Sequence, residues 1–158
     1  MKIGVVSDTH TSMVALQRAI EVLGDVDAWF HLGDEARDIM RIADTLQKPI
    51  YAVRGNCDYM SDMPSSQVVE IGGKRFFLTH GHEYAVNHNT SLLCDEAYKL
   101  NCDAAIYGHT HIPLIEYSKV RILNPGSTTK PLGGYKASCA LITIDDDNMR
   151  FDIINLNQ

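Results

Sequence analysis

No apolar run in this chain approaches the ~18–20 residues that a membrane helix needs. The opening stretch, Met1 to Val6, is too short before polar Ser7 to be a signal peptide. Positive charge is short as well: 14 Lys and Arg stand against 20 Asp and Glu, a formal net charge of -6. With no positive excess there are few counterions to displace from a polyanion. A broad grip on nucleic acid or on an anionic membrane is therefore not expected. Any phosphate chemistry would need a local source of positive charge, such as metal ions. Cysteine is scarce too. Cys57, Cys94, Cys102 and Cys139 fit no zinc ribbon, no CxxC redox pair and no compact disulfide framework. That pattern reads as reduced thiols in a cytoplasm. Repeats, low-complexity tracts and linkers are absent. What remains is an ordinary globular composition, 45% hydrophobic and 22% charged, which excludes disorder, collagen and coiled coil. The 158 residues predict one domain, 1–158, able to bury a core without staples.

The first third alternates strand and helix signals. Ile3 to Val6 is a short apolar run suited to a strand buried on both faces. Thr11 to Leu23 has helical spacing, with Thr11 or Ser12 as a cap and Gly24 as a stop. Ala28 to Leu32 is a second strand, Glu35 to Leu46 a second helical pattern, and Ile50 to Val53 a third strand. This order argues for a mainly parallel sheet covered by helices. The later chain favours hairpins: Gln67–Ile71 with Lys74–Thr79 around Gly72-Gly73, Leu114–Tyr117 with Val120–Leu123, and Ala140–Ile144 with Met149–Ile154. A helix within Asn89–Leu100 and a strand at Ala104–Tyr107 lie between them. The whole predicts two packed sheets with helices outside.

His, Asp and Asn fall at informative places. Asp8 and His10 follow the first strand, Asp34 the second and Asn56 the third. His80 follows the strand ending at Thr79, and His109 and His111 follow Tyr107-Gly108. Open α/β sheets bind ligands at this carboxyl edge. A single such residue is weak, because lone histidines are mostly structural and Gly-Asp or Gly-Asn mostly marks a turn. Five segments with the same placement are another matter. The donors are carboxylate and amide oxygens and imidazole nitrogens, with no thiolate. That mix favours Mn, Fe, Co, Ni or Zn over Mg or Ca. Seven donors exceed the needs of one tetrahedral ion and suffice for two with a carboxylate bridge. Two ions ~3.5–4 Å apart form a clamp for in-line displacement at phosphorus. The glycines before Asp34, Asn56 and His109 permit sharp strand exits.

Ser7-Asp8-Thr9-His10, Gly33-Asp34, Gly55-Asn56-Cys57-Asp58, Thr79-His80-Gly81-His82 and Gly108-His109-Thr110-His111 together resemble, in order, the motifs of the calcineurin-like metallophosphoesterases. The resemblance spans almost the whole chain. The short length, Gly55-Asn56-Cys57-Asp58 and Asn124-Pro125-Gly126-Ser127 are similar to the small prokaryotic phosphodiesterase branch. The resemblance implies an α/β fold, a four-layer α/β/β/α sandwich of two mixed sheets flanked by helices. It implies that Asp8, His10 and His111 hold one metal, that Asn56, His80 and His109 hold a second, and that Asp34 bridges both. The implied cofactors are two divalent transition metal ions, manganese foremost, with Ni, Co, Fe or Zn as alternatives. Asp34, Asn56 and His80 are the implied catalytic residues, Asn56 also touching the substrate phosphate. The implied reaction is hydrolysis of small phosphodiesters by in-line attack of a metal-bridging hydroxide.

One departure concerns the acid. Many phosphatases of the family carry His after the motif Asn and use it to protonate the leaving group; here that position is Cys57. A neutral thiol is a poor general acid. Asp58 is a candidate to orient a histidine instead. His31 and His82 are either supports for the ligands or structural, and His88 reads as an exposed loop residue. Arg54 could reach a phosphate or simply face solvent. Trp29, Cys94, Cys102 and Cys139 read as core, and Asp145-Asp146-Asp147 as a hairpin turn, since no EF-hand spacing follows. Alternative functions are a phosphomonoesterase or nucleotide hydrolase, or a metal-binding scaffold protein of the same fold. The expected partner is a small phosphoester substrate, with no membrane and no stable nucleic-acid binding. Hairpin edges leave room for a homodimer.

Overall fold

The computed structural model describes residues 1–156, so the last two residues of the domain expected over 1–158 lie outside the described residues. Among the described residues, ten strands form two sheets. The first has the order β10-β9-β1-β2-β3, from β1 (Lys2–Val6), β2 (Ala28–His31), β3 (Ile50–Ala52), β9 (Ser138–Asp145) and β10 (Asn148–Asn155). The second has the order β4-β5-β6-β8-β7, from β4 (Ser66–Ile71), β5 (Lys74–Thr79), β6 (Ala104–Ile106), β7 (Leu114–Tyr117) and β8 (Arg121–Asn124). Both are mixed. β1, β2 and β3 run parallel, β9 pairs antiparallel with β1, and β10 pairs antiparallel with β9. β5, β6 and β8 run parallel, with antiparallel edges β4 and β7.

Alternation along the strands builds the layers. Ile3, Val5 and Phe30 of the first sheet meet Phe76, Leu78 and Ile106 of the second in a buried central core. Each such side chain is worth roughly 1.5–3 kcal/mol of burial. The opposite faces carry the helices. Helix α1 (Met13–Leu23) sets Leu16, Ala19 and Leu23 against Val6, Trp29 and Cys139. Its first turn is held by Ser12, whose hydroxyl accepts from the Ala15 N–H, and Gly24 ends it at φ 66°. Helix α4 (Ser91–Lys99) sets Leu93, Cys94 and Ala97 against Phe77, Ala105 and Ile122. The four-layer α/β/β/α sandwich of two mixed sheets is the architecture observed.

One element differs from the sequence expectation. The helical pattern over Glu35–Leu46 is two four-residue helices, α2 (Arg37–Met40) and α3 (Ala43–Leu46). The break falls at Ile42 (φ -112°, ψ 11°), whose side chain turns in to join the cluster under α1. Packing of one apolar side chain overrides the continuity that the spacing suggested. Among the described residues, no helix is long and apolar enough to cross a membrane.

Candidate metal centre

Six parallel strands end along one edge of the two sheets, and five of their exits carry the donors singled out in the sequence. Chain reversal straight after a strand demands unusual backbone. Asp8 (φ 53°), His10 (φ 43°), Asp34 (φ 56°), His109 (φ 69°) and His111 (φ 57°) all adopt left-handed conformations. Such conformations cost on the order of 1–3 kcal/mol each and cluster at functional sites. Two glycines let backbone and carboxylates approach. A Cβ on Gly55 would collide with Asp34 Oδ1, and one on Gly108 would lie 2.8 Å from Asp8 Oδ2.

The donors form two adjoining clusters. In the first, one donor atom from each of Asp8, His10, Asp34 and His111 lies within 4.8 Å of the others. In the second, Asn56 Oδ1 is 3.0 Å from His80 Nε2 and 3.0 Å from His109 Nδ1. Asp34 stands between them, with Oδ2 3.9 Å from His10 Nε2 and Oδ1 3.4 Å from His80 Nε2.

Asp8 tests whether this donor set suits a cation. Its Oδ2 accepts from the Ser7 hydroxyl (2.5 Å) and the His109 N–H (3.1 Å). Its Oδ1 is buried and has no hydrogen-bond partner. His111 Nε2 lies only 3.1 Å away, but the His111 ring donates Nδ1–H to Lys130 O (2.7 Å). In the neutral ring, Nε2 therefore turns a lone pair toward the bare carboxylate oxygen. A proton on Nε2, which the neighbouring carboxylate favours, resolves that opposition in the metal-free chain, and a divalent ion between the two atoms resolves it equally, so the donor set fits a metal. His80 is prepared in the same manner, donating Nδ1–H to Leu32 O (2.6 Å) and leaving Nε2 to the site.

The electrostatics follow the packing. Burial would raise the Asp34 carboxyl, but His80 and the Cys57 N–H outweigh it and hold the group well below the usual carboxylate range. Burial would lower His80, yet Asp34 and Asp8 raise it above its ordinary value. The Asp8 carboxylate likewise raises His111. Burial lowers His10, helped by Lys130, and lowers His109, helped by His80. The Cys57 thiol is pushed up to about 11 by burial and by Asp34, so it stays neutral.

Several supporting residues were not visible as such in the sequence. The sixth strand exit, after β8, runs through Asn124-Pro125-Gly126-Ser127 and braces the first cluster. The hydroxyls of Ser127 (2.8 Å) and Thr129 (3.0 Å) both donate to the Asp8 carbonyl. Asn124 Nδ2 donates to Gly108 O (2.8 Å), and Lys130 O receives the His111 ring. Asp38, buried on α2, accepts from the Thr9 hydroxyl (2.7 Å) and the Thr11 N–H (3.0 Å), gripping the turn on either side of His10. The side-chain amide of Asn87 meets His109 Nε2 at 3.0 Å. Asn124-Pro125-Gly126-Ser127 was the one sequence signal for this support.

The remaining candidates separate cleanly. His31 is fully buried, accepts from the Gly33 N–H through Nδ1 (3.2 Å) and meets the Thr9 hydroxyl through Nε2 (3.3 Å). It supports the loops from beneath. His82 packs its ring 5.5 Å from that of His80 and 6.0 Å from that of His109. Asp58 orients no histidine. Its carboxylate accepts from the Gly55 N–H (2.7 Å) and the Glu35 N–H (2.8 Å) and so fixes two loops. His88 and Arg54 are exposed. Trp29, Cys94, Cys102 and Cys139 are buried, as expected.

The family model for the calcineurin-like phosphoesterase superfamily domain matches residues 1–147. The chain is 32% identical to phosphodiesterase YfcE of Escherichia coli over 183 aligned positions, covering 99% of this chain and 93% of that protein. The structure of a conserved uncharacterized protein of Streptococcus pneumoniae, a predicted phosphoesterase, superposes with a TM-score of 0.82 at 31% identity, covering 99% of this chain and 90% of the other. Wild-type Vps29 of Entamoeba histolytica, complexed with zinc, superposes with a TM-score of 0.76 at 23% identity, covering 99% and 100% of the two chains. That last likeness is one of fold.

Proposed function

The chain belongs to the calcineurin-like phosphoesterase superfamily, and on that footing we propose that it is a dinuclear metal-dependent phosphodiesterase acting on small phosphodiesters. The observation that carries this reading is the pair of donor clusters joined through Asp34, with a bare buried carboxylate oxygen on Asp8. Asp8, His10 and His111 would hold one ion, Asn56, His80 and His109 the other, and Asp34 both. Divalent ions bound there would lower the pKa of water and neutralise the charge of a phosphoryl group undergoing in-line displacement. An oxygen and imidazole set without thiolates suits Mn, Fe, Co, Ni or Zn, and the family resemblance puts manganese foremost among them.

The protein's own part is orientation. His80 and His111 each tie Nδ1 to a carbonyl and so present Nε2 in fixed directions. Asn56 gives Oδ1 to the second cluster, while Nδ2 donates one N–H to the Cys57 sulfur (3.7 Å) and keeps the other for a phosphoryl oxygen. Cys57 fixes Asp34 through its backbone N–H (2.9 Å). Its neutral thiol is a weak donor to a leaving alkoxide. Diesters with good leaving groups therefore suit the site better than alkyl monoesters, which depend on a proton.

The test measures metal per chain and kcat/KM for matched mono- and diesters sharing one leaving group. Two ions per chain, loss of turnover with chelator and a preference for the diester are expected. One ion or none in active protein sinks the dinuclear reading. Preference for the monoester promotes the phosphomonoesterase. Metal binding without turnover of any ester favours the scaffold role that the fold also admits.

A further inference from the structure

Beside the metal centre lies a cavity of about 200 Å³, lined by Glu35, Arg37, Cys57, Asp58, Tyr59 and Met60. Its wall is continuous with the centre. Cys57 lines it while holding Asp34 Oδ1 by its N–H, and Asn56 Nδ2 sits 3.7 Å from the Cys57 sulfur. Asn56 thus faces the donor clusters with one end of its amide and the cavity side with the other.

The frame of the cavity is fixed. Buried Asp58 ties the Gly55 and Glu35 N–H groups together with one carboxylate. Arg37 Nη2 donates to Met60 O (2.6 Å), joining the start of α2 to the tip of the opposite loop. Against this frame, Tyr59 is 87% and Met60 84% exposed. Single exposed apolar side chains are commonplace. Two in succession on the rim of a cavity that opens beside a phosphoryl-binding site have a use, because an aromatic face and a thioether together receive a flat ring. The size agrees, since a cavity of ~150 Å³ already admits benzene. The charge agrees as well. Two carboxylates, Glu35 and Asp58, stand against one guanidinium, Arg37. A charged arm such as a second phosphate is disfavoured there, and an uncharged one is not.

We propose that this cavity binds an uncharged aromatic arm of the phosphoester, stacked on Tyr59 and flanked by Met60, and so sets the enzyme's preference for aromatic over small alkyl esters. The inference rests on the phosphodiesterase reading of the adjoining centre. Tyr59 and Met60 are the specificity-determining residues.

The experiment uses phenylphosphonate and methylphosphonate, which share the head group and differ in the arm. Binding to the metal-loaded protein is read by calorimetry, and inhibition is read against bis(p-nitrophenyl) phosphate. Phenylphosphonate should bind about tenfold more tightly than methylphosphonate, and Tyr59→Ala with Met60→Ala should cut that ratio to about twofold. Tyr59→Phe should retain it. Equal affinities in the wild type, or a ratio that survives the double substitution, overturns the inference and leaves the phosphodiesterase reading standing. Failure to bind either phosphonate, together with failure to hydrolyse the diester, overturns both. Both side chains are exposed, so folding is not at stake, and a circular dichroism spectrum identical to wild type confirms it.

Discussion

Asp34 serves both donor clusters with one side chain. Oδ2 faces His10, while Oδ1 faces His80 and accepts the Cys57 N–H. Asp34→Ala removes the shared anchor. Because outer partners alone are worth 10–100-fold, turnover should fall by more than about 100-fold and both ions should be lost, as counted by mass spectrometry. His82→Ala should cost much less, because His82 packs beside two rings and bonds to no donor. Equal losses would place His82 among the metal-holding residues. His31 makes a different prediction. Burial lowers its pKa to about 4 from an ordinary 6.5. Below about 6.5 the unfolded chain takes up a proton that the folded one refuses until about 4, so stability is whole above that window and drains away as pH falls through it. The contribution at stake is on the order of 3 kcal/mol. Denaturant midpoints between pH 7 and 4 should fall less steeply in His31→Gln than in wild type. Parallel curves would show that another group governs acid unfolding.

At the scale of elements, Ser127, Thr129 and Lys130 of the loop after β8 bond to members of the first cluster and, among the described residues, to none of the second. Ser127 and Thr129 hold the Asp8 carbonyl, and Lys130 O holds the His111 ring. Asn56 and His80 receive nothing from this loop among the described residues. Thr129→Val should therefore weaken the ion at Asp8, His10 and His111 about 10–100-fold and spare the other. Metal titration should then show one site of near wild-type affinity and one weakened. Uniform weakening would mean that the loop acts on the whole centre. How legible such elements were depends on the range of the forces that make them. The strands and hairpins were readable because apolar runs and Gly72-Gly73 act locally. The seven candidate donors stood out because each follows closely behind a strand, and the structure brings them to one edge. The break at Ile42 was not, since it arises from packing against α1 and the sheet. The brace was legible only as a motif: the Ser127 hydroxyl reaches back 119 residues to Asp8, and no local pattern encodes that. Asp58 misled for the same reason, since its partner is the Glu35 N–H across the site rather than a neighbouring ring.

Across the whole molecule, the centre is a seam. Asp8, Asp34 and Asn56 leave the sheet that holds β1, β2 and β3, whereas His80, His109 and His111 leave the one that holds β5 and β6. On the proposed reading, ions held between them would cross-link the two sheets, and only in the folded state. Binding to the native state alone stabilises by about 2.7 kcal/mol at a hundredfold excess over Kd. For a chain of this size each kcal/mol shifts Tm by roughly 2–4 °C. With two sites each filled to that degree, the metal-loaded protein should thus melt about 10–20 °C above the chelated one. The chelated protein should nonetheless stay folded, because the core of Ile3, Val5, Phe30, Phe76, Leu78 and Ile106 joins the same two sheets without any ion. Removing the metal also returns Asp8 Oδ1 to its bare, buried state, and the left-handed strand exits remain strained with nothing to hold. Hydrogen exchange should therefore loosen at residues 8–11, 33–35 and 108–111 in chelator while the strands stay protected. Thermal scans and exchange with and without chelator check both claims. An unchanged Tm would show that metal binds the native fold without preference, and global loss of protection would show that the ions, not the core, hold the two sheets together.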